Sequence, residues 1–122
     1  MRKNVIKSFA MLDSISMAAN ATSSIVNVIN LDKASIFIDW SGTSPVGTIT
    51  VEARNKPVDL NNVEDGLWYA LDFGTPISVA GNTGDHLIVL NELPFDSIRI
   101  QYAATSGSGT IDALITAKQV GG

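Results

Sequence analysis

Hydrophobic and polar side chains alternate along most of this chain with a period of two. Ile36, Ile38 and Trp40 alternate with Ser35, Phe37 and Asp39, and Ile49, Val51 and Ala53 alternate with Thr48, Thr50 and Glu52. Ile98, Ile100 and Tyr102 alternate with Arg99 and Gln101. Ile111, Ala113, Ile115 and Ala117 alternate with Thr110, Asp112, Thr116 and Lys118, where Leu114 interrupts the polar side. Successive side chains of a strand point to opposite faces, so these stretches predict strands with a dry face and a wet one. Shorter candidates occupy residues 24–30, 67–73, 77–80 and 86–91. Clusters of Gly, Pro, Asn and Ser separate them, at residues 41–45, 61–66, 74–76, 81–84, 92–94 and 106–109. About eight short strands punctuated in this way predict an all-β protein, a single β-sandwich or jelly-roll-like domain.

The first 22 residues stand apart from that pattern. Phe9, Leu12 and Met17 fall loosely on one face of a possible helix over residues 6–19, whereas the serines and Asn20 favour an extended arm or a first strand. Both conformations stay open. The chain is thus expected to divide into an N-terminal arm, residues 1–22, and a β-sandwich domain, residues 23–122. Residues 1–12 hold Arg2, Lys3 and Lys7 and no acid, a charge of +3; the remaining 5 bases and all 12 acids give residues 13–122 a charge of −7. The arm also carries Val5, Ile6, Phe9, Met11, Leu12, Ile15 and Met17, more apolar side chains than a solvated tail needs. It is expected to dock on a neighbouring subunit, burying Phe9 and Leu12 while Arg2, Lys3 and Lys7 face acidic groups. Its start imitates a secretory leader, but Lys7 and Asp13 interrupt the apolar region, so it is expected to remain in the mature protein.

Composition narrows the chemistry. With no cysteine among 122 residues, disulfide frameworks, thiolate metal sites and thiol nucleophiles are excluded. No run approaches the roughly 18 to 20 apolar residues that a membrane-crossing helix requires. A net charge of −4 disfavours nucleic acid and anionic membrane, which demand a basic footprint. The one histidine, His86, has no G-x-S-x-G nucleophile elbow to serve. Asp59, Glu64, Asp65 and Asp72 surround a long loop beside Trp68 and Tyr69, an arrangement that suits a sugar platform or an oxygen-rich calcium loop. The order of an EF-hand is missing from it. Gly81-Asn82-Thr83-Gly84 precedes a strand and presents no helix N-terminus to a phosphate. The expectation is no catalytic residue, no metal ligand and no cofactor, with a carbohydrate-binding module as an alternative.

Three stretches carry a resemblance. Ala34-Ser35-Ile36-Phe37-Ile38-Asp39-Trp40-Ser41-Gly42-Thr43 is followed by Gly47-Thr48-Ile49-Thr50-Val51-Glu52, and then by Asp65-Gly66-Leu67-Trp68-Tyr69-Ala70-Leu71. The third runs from Leu90-Asn91-Glu92-Leu93-Pro94-Phe95 through Arg99-Ile100-Gln101-Tyr102 to Thr105-Ser106-Gly107-Ser108-Gly109-Thr110. In this order they resemble a group of small β-sandwich virion proteins of tailed bacteriophages, over roughly residues 34–118. The resemblance implies a non-enzymatic structural protein of the phage particle. Its leading form is a capsid decoration (cement) protein at the capsid surface, binding the major capsid protein or other virion proteins as a homo-oligomer, with a trimer expected. A tail, baseplate, head-fibre or minor capsid component is the alternative within that class. Arg99, on the wet face between Ile98 and Ile100, joins Arg2, Lys3, Lys7, Phe9 and Leu12 as an expected contact residue.

Overall fold

The computed structural model describes residues 5–28, 31–54, 68–71 and 77–119, and these contain strands and no helix. In chain order the strands are β1 (Val5–Ser16), β2 (Ala21–Thr22), β3 (Val26–Asn27), β4 (Lys33–Arg54), β5 (Tyr69–Ala70), β6 (Ile77–Val79), β7 (Thr83–Leu90) and β8 (Ser97–Gln119). All pairings are antiparallel and join into one continuous eight-stranded sheet.

Two of the eight are long. The stretches expected as separate strands at 35–40 and 48–53 are one strand, β4, and those at 98–102 and 110–118 are one strand, β8. The two run side by side from Lys33↔Lys118 to Arg54↔Ser97, with register shifts only around Thr43 and Val46. The Gly- and Ser-rich stretches expected as turns are therefore bulges opposite one another in a continuous ladder. Ser44 at φ 47° and Gly107 at φ 82° face each other there, and a side chain on Gly107 would collide with the backbone of Ser44 and Pro45. Asn82 braces the spot: the Gly42 N–H donates to its carbonyl at 2.7 Å, and the Ser44 N–H donates to its Oδ1 at 2.8 Å.

The bulge divides the sheet into two halves, each four strands wide. On one side of it, β1, the C-terminal part of β8, the N-terminal part of β4 and β7 lie in that order; on the other, β2 and β3, the remaining parts of β8 and β4, and β5 and β6. Ile36, Ile38, Ile111 and Ile115 in the first half and Val51, Ile98 and Ile100 in the second are all fully buried in one cluster. A flat sheet leaves both faces wet, so such burial requires the halves to fold onto each other as the layers of a sandwich, with bulges turning the corner.

β1 shows why the first residues were hard to place. It is a strand, hydrogen-bonded along β8 from Val5↔Gln119 to Ser16↔Thr110. Two register shifts, between Ala10 and Leu12 and between Leu12 and Ile15, bring the consecutive residues Met11 and Leu12 both into the core, each 3% exposed. Met17 follows them, fully buried, with its N–H on the Gly109 carbonyl at 2.9 Å. Bulges break period two, so neither a strand nor a helix template fitted this segment.

Candidate interaction surface

Residues directly opposite in an antiparallel ladder share a face, so the register maps the outer surface of the first half-sheet. Ala10, Leu114, Phe37 and Leu87 form one row across β1, β8, β4 and β7. Phe37 is 45% exposed, Leu87 57% and Leu114 44%, and Val89 of the adjoining row is also exposed. That adjoining row is Ser8, Thr116, Ser35 and Val89, and beyond it lie Lys118 and Lys33 side by side. On the other flank of the apolar row stand Asp112, Asp39 and Asp85, and then Ser16, Thr110, Ser41 and Thr83. The surface thus runs from a cationic end, across an apolar middle, to an anionic end.

Each end carries a hollow. One of about 330 Å³ is flanked by Lys33 and Lys118 and floored by Ala34, Leu90 and Ala117. A smaller one, about 170 Å³, is rimmed by Asp13, Asp39 and Asp112 beside Phe37 and Leu114. The Ser14 N–H donates to Asp112 Oδ1 at 2.7 Å, holding that carboxylate in place. Among the described residues no three His, Cys, Asp or Glu side chains converge as a metal site. The outer surface of the second half-sheet is different, with Thr22, Gln101, Thr50, Thr48 and Ser78 at matching positions. There the Thr22 hydroxyl donates to Gln101 Oε1 at 2.6 Å. These positions of the second outer face are polar; the first outer face carries an apolar stripe.

The expected contact residues separate in the structure. Arg2 and Lys3 lie outside the described residues. Lys7 is exposed and Phe9 is 40% exposed on β1, which pairs with β8 alone among the described strands. Leu12, expected at a subunit contact, is 3% exposed and packs in this chain's own core, because the β1 bulge turns it inward. Arg99 is already engaged, its Nε donating to Glu52 Oε1 at 2.7 Å and its guanidinium lying 4.2 Å from the centre of the Trp68 ring. Arg54, buried, lies over the same ring at 4.5 Å, and its Nε has no partner among the described residues. Two guanidiniums therefore hold the indole that the sequence offered as a sugar platform, and Tyr69, 64% exposed, is the open aromatic beside it. The loop acids Asp59, Glu64, Asp65 and Asp72 lie outside the described residues. His86 is exposed on β7, opposite Ile38.

The sequence missed the apolar row, although its signal was present. Phe37 and Leu114 occupy positions whose parity belongs to the wet face, and Leu114 was visible as an interruption. What could not be read was that both lie in one row with Leu87, because cross-strand register is not written in any single strand.

Fold and surface together define a small all-β sandwich with one amphipathic outer face. No family model matches the sequence, and no curated protein does. Similar structures exist at low identity. The SPBc2 prophage-derived protein YomS superposes with a TM-score of 0.61 at 15% identity, covering 95% of this chain and 96% of that one. A protein of the infectious bursal disease virus Gx strain gives 0.56 at 13% identity, over 98% of this chain but 33% of the viral one. A protein of the Bacillus endospore appendages, described as disulfide-linked pili, gives 0.51 at 15% identity over 100% of this chain and 92% of that one. What is shared is the fold. Lacking cysteine, this chain cannot form such disulfide links.

Proposed function

We propose that this chain is a non-enzymatic structural protein of a bacteriophage virion, acting as a decoration protein on the capsid surface. The observation that carries the reading is the near full-length fold shared with a prophage-derived protein. The motif order across residues 34–118 supports it independently of the fold. The mechanism is interface burial: a rigid sandwich supplies area, and the edge of β1, which pairs with no strand but β8 among the described residues, meets a capsid neighbour. Unpaired backbone N–H and C=O groups at a strand edge are a template for another chain. Phe9 supplies an apolar anchor at that edge and Lys7 a charge for an acidic partner, while Leu12 stays in the core and Arg99 stays on Glu52.

The test is sedimentation of purified heads that lack this protein with added labelled chain. The chain is expected to co-sediment, and Phe9→Ser combined with Lys7→Glu to weaken binding at least about tenfold, or about 1.4 kcal/mol. Binding to tails or baseplates instead of heads would move the protein within the particle. No binding to any part of the virion would overturn the reading.

A further inference from the structure

The outer face of the first half-sheet has the arrangement of a self-complementary patch. Lys33 and Lys118 lie together at one end, and Asp39 and Asp112 lie on the same two strands at the other, three rows away. A two-fold axis running across the strands, between the Ser35 and Phe37 rows, exchanges these ends. An axis along the strands would set lysine over lysine and aspartate over aspartate, so charge selects the first. We propose that this face pairs with the same face of a second copy of the chain, Lys33 and Lys118 of each copy entering the aspartate-rimmed hollow of the other. This pairing goes beyond the virion reading and does not depend on it.

Three observations support a second copy as the occupant. The charges are complementary under one symmetry operation, which is what an isologous interface requires. The apolar row lies beside the axis and the charges lie at the two ends, so Phe37, Leu87 and Leu114 lose water against the Ser35, Thr116 and Val89 row of the other copy while the ion pairs form at the margins. The hollow rimmed by Asp13, Asp39 and Asp112 sits where the partner's lysines arrive. Face-to-face sheets stack about 10 Å apart, a distance that extended lysine and phenylalanine side chains bridge from both sides. Four strands about 4.8 Å apart, over the roughly 30 Å length of residues 33–41, offer each copy close to 600 Å². The total is at the lower limit of specific interfaces, so the dimer is expected in the micromolar range.

The experiment is sedimentation equilibrium on the purified full-length chain, with circular dichroism of each variant to verify the fold. The wild-type chain is expected to dimerise, more weakly at about 1 M salt, where charges are screened beyond about 3 Å. Asp39→Lys with Asp112→Lys should abolish the dimer, as should Lys33→Asp with Lys118→Asp, and mixing the two variants should restore it. If either charge variant does not fold, Leu87→Thr with Val89→Thr, exposed on β7, takes its place and should weaken dimerisation at least tenfold. A wild-type monomer at about 100 µM, a trimer, or swapped variants that fail to rescue each other would overturn the proposal. None of these outcomes bears on head binding, which is measured separately.

Discussion

Tyr102 shows what a single buried group does to this protein. The residue is 1% exposed, its hydroxyl has no partner among the described residues, and the ring fits because Gly47, diagonally across on β4, has no side chain to obstruct it. Burial pushes the phenol above its ordinary value of 10.0, since the phenolate would lose its hydration. The sign follows from linkage. Below about pH 10 both states keep the proton and nothing changes; above it the unfolded chain ionises while the folded chain does not, so stability falls as pH rises. Tyr102→Phe should flatten this alkaline loss, measured as the urea midpoint between about pH 8 and 11. At neutral pH the substitution should be neutral or mildly stabilising, because it removes a buried hydroxyl that makes no bond. The alternation Ile98, Ile100, Tyr102 already marked this residue as inward. Its unpartnered hydroxyl was not legible, because that depends on a glycine distant in sequence.

At the scale of the element, β1 is the informative case. Expected as an arm with an undecided conformation, residues 5–16 form a strand that closes one side of the core. With Met11, Leu12 and Met17 buried, deletion of residues 2–20 should abolish cooperative folding, measured by a denaturant transition. A gentler measurement is Leu12→Ala, which should cost about 2 to 5 kcal/mol of unfolding free energy, the range for truncating a core leucine. A loss below about 0.5 kcal/mol, as for a surface position, would mean that β1 is not docked. The strand at 77–79 was legible within the expected 77–80 because turn residues bound it, whereas the strand expected at 86–91 begins earlier, at Thr83, inside the stretch 81–84 that reads as a turn. β4 and β8 were divided in the reading because glycine and serine mark bulges and turns alike, and only pairing on both sides of the interruption distinguishes the two.

At the scale of the molecule, the Ser44–Gly107 corner decides whether one sheet becomes two layers over one core. Gly107→Val should be strongly destabilising, by about 2 kcal/mol or more, since it requires a left-handed backbone and meets Ser44 and Pro45. Because both layers share one hydrophobic cluster, its denaturant transition should remain single rather than split into two. The sequence by itself determined the all-β class, the inward residues of the two long strands β4 and β8 and the absence of thiol chemistry, because alternation and composition are local properties. It also marked Leu114 as an apolar side chain on a polar face. Only the tertiary structure decided that four strands were two, that Met11 and Leu12 both turn inward, and that lysines and aspartates lie at opposite ends of one apolar row. Those features depend on register and bulges, which arise between strands far apart in the chain and leave no period within either.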